Sequence, residues 1–546
     1  EARLPFISAF QSADPNIFSG QQELDGDVTL AGPVNGATPA GVSDFLDPAN
    51  GRAHVQIRGG WEVDDKVRQV KWDANWDEGN VNGLKSVKVG LFYSKETKRL
   101  TRWDNTFGPH CQFCGFPDAP DVPNDFQTGF DAGDGFLRGV SGSDRLIRQW
   151  LTHDGEQLIQ FLEGVPTTVS GAATGSFDAV RRNISFAVGE EVFAGYVQTE
   201  WAGELAGRPF DMVAGVRAES TDVSVNGTDE PITFLSILDQ TELLANRGPA
   251  VTVQENSSYD ALLPNLAMRY EPLDNFVVRF AASQTLTRPT LDALAPAFNV
   301  TTTRQGGDFT AISGNSALRP FKSDNLDLSF EYYFGDTNYV SLGIFRKDVS
   351  NFIVNVQADE TVTTVGGGLL TDPSTGSNPN AADPDDALAV FRVTRPQNGE
   401  NAIIRGLEVA FQYSFWDTGF GVLLNGTIVD GDISFDPADV SQIFALTGLS
   451  DSANAVAFYD KGPLEVRIAW NWRDKFLQSL TQANGDGVTF VRSFSQVDIS
   501  ASYQLTDYAR VFVEGINVTN ERLFKHGRFE NQFILAEESG PRYAAG

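Results

Sequence analysis

One hairpin, residues 323–352, constrains the fold of this chain more than any other stretch. Large apolar or aromatic side chains alternate in its first half, at Leu326, Leu328, Phe330, Tyr332 and Phe334. The positions between them hold mostly polar side chains, at Asn325, Asp327, Ser329, Glu331 and Tyr333. This alternation predicts a strand that is apolar on one side only. Residues 335–338 supply turn chemistry and the alternation then resumes, so the stretch predicts an antiparallel hairpin.

The same pattern recurs along the chain, and the connections alternate between short turns and long excursions. The long excursions cover residues 100–178, 225–255, 289–322 and 349–400. A soluble sandwich has no reason to make every second loop long, whereas a barrel that spans a membrane has short turns on one side and long loops on the other. We therefore predict an all-β fold, a large antiparallel transmembrane β-barrel, with roughly 16 to 18 recognisable strands. Residues 1–546 form this barrel domain, with short periplasmic turns and the four excursions as extracellular loops.

Composition and charge restrict the class of protein. The net charge of −31 argues against nucleic acid as a partner, because binding needs fields of Lys and Arg. The chain holds no run of eighteen apolar residues, so no transmembrane helix is predicted. No nucleophile with a base and an orienting acid can be nominated, and no glycine-rich phosphate loop is present, so we predict that the chain is not an enzyme.

The two cysteines, Cys111 and Cys114, lie in one loop among Gly, Pro and Asp. Two thiolates are half of a zinc site, and His110 beside them does not complete it. A redox pair would be expected at the start of a helix. A small disulfide in an exposed loop is the preferred interpretation and free thiols are the alternative.

No metal site or cofactor is predicted. The four histidines, His54, His110, His153 and His526, are too scattered for a confident metal site. The acidic cluster at Asp383, Asp385 and Asp386 offers the oxygen ligands that Ca²⁺ prefers, but it lacks the glycine and terminal glutamate of a recognised calcium loop. We interpret it as a solvated loop.

Two further positions have structural interpretations. Arg288 and Pro289 end a strand, because proline cannot donate a hydrogen bond to a ladder. Gly406 follows Arg405 at the start of a strand and is expected to allow close strand packing or a bulge.

The first long excursion is the best candidate for ligand contact. It carries aromatic faces and polar tips of the kind that suit sugars or aromatic chelates. The predicted substrate-binding residues are Trp103, His110, Phe113, Phe116, Trp150 and His153. The alternative for each single residue is that it packs the loop against itself.

Several ordered segments of the chain resemble one family. They are residues 259–296, 314–334, 345–353, 403–415 and 497–521, which include RFAASQTLTRP, FRKDVSNFI and RGLEVAFQYSF. They are similar to the C-terminal barrel of TonB-dependent outer-membrane receptors, most of all to the branch common in Caulobacter-type and Xanthomonas-type bacteria. The resemblance covers about Arg52 to Gly546.

The resemblance implies a barrel of the 22-stranded kind, filled by an N-terminal plug, in the outer membrane of a Gram-negative bacterium. It implies active import of a scarce nutrient, a carbohydrate or a siderophore-type ligand, with TonB, outer-membrane lipid and lipopolysaccharide as partners. The acidic loops favour a neutral sugar or a cationic ligand over an anionic ferric complex. No plug is visible ahead of Glu1 and the family's terminal aromatic residue is absent, so an incomplete barrel with missing termini is expected. A passive porin and a β-rich surface binding protein remain alternatives.

Overall fold

The computed structural model describes residues 48, 59–77, 79, 83–104, 123–133, 135–140, 149–164, 180–237, 243–335, 337–378, 383–399, 401–439, 442, 444–480 and 488–546. In chain order the strands are β1 (Gly59–Trp76), β2 (Leu84–Asp104), β3 (Gln127–Asp131), β4 (Gln149–His153), β5 (Val180–Leu205), β6 (Arg208–Asp229), β7 (Ile232–Ile237), β8 (Leu243–Arg247), β9 (Val251–Leu273), β10 (Phe276–Thr287), β11 (Asn299–Arg304), β12 (Asp308–Ile312), β13 (Phe321–Phe334), β14 (Asn338–Ser350), β15 (Ile353–Thr361), β16 (Val390–Asn398), β17 (Ala402–Ser414), β18 (Phe420–Gly431), β19 (Ser452–Lys461), β20 (Leu464–Arg473), β21 (Phe476–Ser479), β22 (Thr489–Val491), β23 (Phe494–Thr506), β24 (Ala509–Ile516), β25 (Leu523–His526), β26 (Phe533–Glu537) and β27 (Arg542–Ala545). The α-helices of the described residues are α1 (Gly155–Glu163) and α2 (Leu291–Leu294), and single 3₁₀ turns lie at Asn124–Phe126 and Trp416–Thr418. Among the described residues, no helix is both long and apolar enough to cross a membrane.

One sheet of 15 strands dominates the part of the chain that the structure describes. Its order is β1-β2-β5-β6-β9-β10-β13-β14-β17-β18-β19-β20-β23-β24-β27, so neighbours in the sheet follow one another along the chain. All of its pairings are antiparallel, as successive hairpins require. The sequence predicts roughly 16 to 18 strands, close to the 15 of this sheet, and twelve further strands form separate small sheets in the connections.

The two faces of the large sheet have opposite chemistry. In the hairpin of β13 and β14, Phe330 lies opposite Leu342 and Ser329 lies opposite Gly343. Residues opposite one another share a face, and side chains alternate between faces along each strand. The predicted apolar face of this hairpin is therefore confirmed. Its large side chains are exposed in the isolated chain, as expected for a surface that faces lipid. The polar face is the lumen of the barrel.

Two local features shape the connections between barrel strands. In the first excursion, residues 149–153 form β4 and the helix α1 begins at Gly155. The Asp154 carboxylate accepts hydrogen bonds from the N–H groups of Glu156 and Gln157, which fixes the start of the helix. Between β5 and β6, Ala206 and Gly207 have φ angles of 53° and 74° and make a tight two-residue hairpin turn.

The long excursions contain structure of their own. Strands β11, β12, β15 and β16 form one sheet, with a parallel pairing of β12 and β16, and β7 pairs with β8. These strands come from three different excursions and share one apolar core, whose buried members include Leu235, Phe309 and Phe391. A second small sheet, β21-β22-β25-β26, joins two of the later connections.

A contact between distant parts of the sequence brings the first and last excursions together. The N–H of Leu137, between β3 and β4, donates a hydrogen bond to the Glu538 carboxylate, just after β26. Asn520 and Arg522 donate to the same carboxylate. Since β2 and β24 lie near opposite edges of the large sheet, this contact shows that the sheet curves strongly.

Candidate functional site

Charged side chains line the lumen face of the large sheet, and many of them bond across neighbouring strands. Lys88 on β2 contacts Glu200 on β5, and Arg279 on β10 donates to Glu331 on β13 at 2.9 Å. Such cross-strand pairs satisfy charges that face into the barrel. At these positions the strands therefore present paired charges to the lumen.

The most buried of these groups form one assembly, which we call the lumen cluster: Glu190, Glu219, Thr221, Tyr259 and Arg288. The Nη2 group of Arg288 donates hydrogen bonds to the Glu219 carboxylate at 2.5 Å and to the Thr221 hydroxyl at 3.3 Å. Its Nε lies 3.1 Å from a Glu190 carboxylate oxygen, as an ion pair without hydrogen-bond alignment. The Tyr259 hydroxyl is 3.5 Å from the other Glu190 oxygen. One guanidinium thus connects β5 and β6, and Tyr259 of β9 joins the cluster through Glu190.

The chain positions Arg288 for this role by ending β10 immediately before it. Thr287 is the last residue of β10, and Pro289 cannot continue the ladder because it has no N–H. The backbone therefore leaves the sheet and the Arg288 side chain turns into the lumen. The predicted strand end is confirmed, but the charged partners of Arg288 come from β5 and β6, far away in sequence.

Helix α2 follows directly and covers the upper part of the lumen wall. Leu291 and Leu294 pack in one core with Phe186, Val188 and Val225 of the neighbouring strands. The Asp292 carboxylate also accepts from Lys98 of β2 at 2.5 Å. Part of the excursion after β10 is thereby held inside the barrel, next to the lumen cluster.

Charges at the lumen cluster are balanced. The side chain of Glu219 is 7% exposed, that of Glu190 is 11% exposed and that of Arg288 is 27% exposed. Arg217 also contacts Glu219, and its guanidinium lies 5.2 Å from the Phe92 ring centroid. Two carboxylates thus meet two guanidinium groups. This arrangement offers hydrogen-bond donors, acceptors and a stacking face without a strong net charge.

The predicted ligand residues fall in different situations. Trp103 is near the end of β2, where its indole N–H donates to Glu62 at 3.2 Å. Trp150 and His153 lie on β4, with His153 opposite Gln127 of β3. Burial lowers the pKa of His153, although the neighbouring Asp154 carboxylate acts in the opposite direction. Of these three residues, the structure groups only Trp150 and His153 on one strand.

The remaining predicted residues, His110, Phe113 and Phe116, and both cysteines, Cys111 and Cys114, lie outside the described residues. The ligand set and the disulfide therefore stay predictions. At the acidic cluster, Asp383 accepts from the Asn378 N–H at 2.9 Å and from the Ser377 hydroxyl at 3.2 Å. The described residues contain no group of three or more His, Cys, Asp or Glu side chains that could hold a metal ion.

Comparisons with known proteins agree with the barrel fold. Residues 9–518 match a family model described as TonB dependent receptor-like, beta-barrel. Among solved structures, the ferric-catecholate import receptor Fiu from K12 E. coli has a TM-score of 0.53 at 11% identity, and the match covers 88% of this chain and 54% of Fiu. The copper transporter OprC has a TM-score of 0.51 at 11% identity, with coverage of 89% and 57%.

The ferric yersiniabactin uptake receptor FyuA from Yersinia pestis has a TM-score of 0.48 at 14% identity, with coverage of 90% of this chain and 54% of FyuA. The chain therefore spans little more than half the length of these structures. The similarity to Fiu and OprC supports the fold alone. A search of the curated proteins found no match.

Proposed function

The chain belongs to the family of TonB-dependent receptor β-barrels, which are outer-membrane transporters and not enzymes, and from this premise we propose that it actively imports a scarce nutrient. The long excursions face the cell exterior and capture the ligand. TonB delivers the force for import through a plug domain. The receptor is embedded in outer-membrane lipid, including lipopolysaccharide.

The lumen cluster carries this proposal. A polar lumen wall with buried ion pairs, partly covered by α2 of an inward-folded excursion, suits a gated path better than an open water channel. Moving the excursion would expose the hydrogen-bonding groups of the wall to a ligand. The family membership adds the source of energy for such a movement.

A neutral or cationic ligand is favoured, of carbohydrate or siderophore type. The lumen cluster has no net positive charge, and the whole chain carries −31. An anionic complex would enter a repulsive field, whereas a neutral or cationic one would not. The aromatic residues predicted in the first excursion supply stacking faces for such a ligand.

Uptake by cells tests the proposal. The full-length receptor would be expressed in an outer-membrane receptor deletion strain, and accumulation would be measured for radiolabelled oligosaccharides, cationic chelates and anionic ferric catecholates. We expect saturable uptake of a neutral or cationic compound that disappears when the gene for TonB is deleted. Equal accumulation without TonB would identify a passive porin instead. Preferential uptake of the anionic complex would refute the ligand class but not active import.

A further inference from the structure

A basic patch lies on the outward face of β1 and β2, and we define it as Lys66, Arg68, Lys95 and Arg99. Arg68 lies directly opposite Lys95, and Arg99 lies opposite Asp64. All four residues are exposed. Like charges that face each other across two strands destabilise a sheet unless an anion lies between them. A basic patch is also unusual in a chain with a net charge of −31.

Two of the four cations have partners. Lys66 contacts Asp64 at 2.5 Å, and Lys95 contacts Glu191 of β5 at 3.1 Å. Within the described residues, Arg68 and Arg99 form no ion pair. Further along the same row of the sheet, Glu191 lies opposite Asp222, so the positive charge is confined to β1 and β2.

The height of the patch matches the boundary of the hydrocarbon layer. On the outward face below Arg68, β1 carries Val70, Trp72 and Trp76, and Trp76 is next to the short turn. A tilted strand crosses the hydrocarbon in about 9–11 residues. If the hydrocarbon layer begins near Trp76, about ten residues of β1 bring its outer boundary to Lys66 and Arg68. These two residues then lie at the level of the lipid headgroups.

Other strands have cations at the same height, but these are neutralised within the protein. Arg346 of β14 forms an ion pair with Asp348 at 2.8 Å, and Arg405 of β17 forms one with Asp430 at 2.9 Å. Arg346 and Arg405 also lie directly opposite one another. The basic patch is thus distinguished by its unpaired guanidinium groups, and not by height or by opposed cations alone.

We propose that Arg68 and Lys95, assisted by Lys66, bind a phosphate group of an outer-leaflet lipopolysaccharide. The outward face excludes the transported ligand, which passes through the lumen. Phosphate accepts charge-assisted hydrogen bonds from a guanidinium and an ammonium at once and relieves the repulsion between them. The inference rests on the membrane orientation in the proposed function, with the long excursions outside.

Lipid binding by the detergent-solubilised full-length receptor tests the proposal. Native mass spectrometry would measure binding of phosphorylated lipid A and of enzymatically dephosphorylated lipid A to the wild type, to Arg68→Gln/Lys95→Gln and to Arg346→Gln/Arg405→Gln. The two double variants remove the same charge at the same height. Heat-modifiable migration in gels would confirm that each variant is folded.

We expect Arg68→Gln/Lys95→Gln to bind phosphorylated lipid A about thirtyfold more weakly, since each basic residue near an anionic lipid contributes several-fold to affinity. Arg346→Gln/Arg405→Gln should bind within twofold of the wild type, and dephosphorylated lipid should bind weakly to all three.

Equal weakening in both double variants, or tight binding of dephosphorylated lipid by the wild type, would overturn the proposal. Competition by inorganic phosphate at the lipid's own concentration would assign the site to the free anion instead. These readouts require no transport, so a failure of the import proposal would be recognised separately.

Discussion

Two adjacent residues of β14, Leu342 and Gly343, face opposite environments. Leu342 is on the lipid face near mid-strand, opposite Phe330, and Gly343 is on the lumen face, opposite Glu408 of β17. A side chain added at Gly343 would have its first carbon 3.6 Å from the Glu408 Cβ, which is an ordinary contact. The same substitution should therefore have very different effects at the two positions.

We predict that Leu342→Arg lowers the free energy of unfolding by roughly 2–4 kcal/mol, because a cation near the bilayer midplane is costly. Gly343→Arg should change it by less than about 1 kcal/mol, since its guanidinium reaches water and the Glu408 carboxylate. Chemical unfolding in phospholipid vesicles gives both values. Equal losses would mean that the two faces of β14 are assigned wrongly.

Arg288 makes the lumen cluster sensitive to a single substitution. Arg288→Gln leaves Glu190 and Glu219 mostly buried beside each other without their shared cation. We expect a loss of about 3 kcal/mol, because removing one partner of a buried ion pair is strongly destabilising. Arg346→Gln, which removes an exposed pair, should cost at most about 1 kcal/mol. Equal effects on the unfolding free energy would show that the cluster is solvated.

At the scale of the strands, aromatic rings lie across glycines of neighbouring strands on the lumen face. Four opposed pairs among the described residues show this arrangement: Gly90 with Tyr196, Phe186 with Gly227, Phe345 with Gly406, and Gly421 with Phe458. A Cβ built at Gly406 would lie 2.4 Å from the Phe345 ring and 2.6 Å from the Ile428 carbonyl oxygen. The absence of a side chain at Gly406 therefore leaves space for the Phe345 ring to lie over the backbone. This contact is the close packing expected at Gly406 from the sequence.

Gly406→Ala should lower the free energy of unfolding by about 1–3 kcal/mol, since the added methyl group overpacks the Phe345 ring and the neighbouring backbone. Gly426→Ala is the matched control on β18. A Cβ there meets only the Ser452 carbonyl oxygen, at 3.5 Å. We expect the control to change stability by less than about 0.5 kcal/mol. If both variants unfold like the wild type, the Phe345 ring is free to move away.

Strand periodicity shows which parts of this architecture are readable from sequence. The faces of β13, β14, β17 and β20 follow from period two alone, because each strand carries its own pattern. The lumen cluster does not, since Arg288, at the end of β10, meets Glu190 of β5 and Glu219 of β6 only through the order of strands in the sheet. Polar residues at inward positions were the available signal, but their partners depend on pairing at long range. Strand β12, likewise, joins β16 in parallel across a separate excursion, which no local turn predicts.

At the scale of the whole molecule, the long excursions form one assembly rather than independent loops. The core beneath them takes side chains from β7, β12 and β16, which follow three different barrel strands. Phe391 of β16 is at its centre, 0% exposed, with its ring centroid 5.2 Å from that of Phe309 and 5.7 Å from that of Phe298. Because the excursions share this apolar core, we expect them to open together.

Phe391→Ala tests this cooperativity. Truncating a buried phenylalanine costs about 3–5 kcal/mol, which is enough to unfold a small assembly locally. We expect hydrogen exchange to accelerate together in β7–β8, β11–β12 and β15–β16 and to stay unchanged in the hairpin of β13 and β14. Val390→Ala is the control, because Val390 is the adjacent residue on the opposite, 42% exposed side. If hydrogen exchange accelerated only in β16, the excursions would move separately. A ligand could then enter by displacing one excursion while the others stay folded.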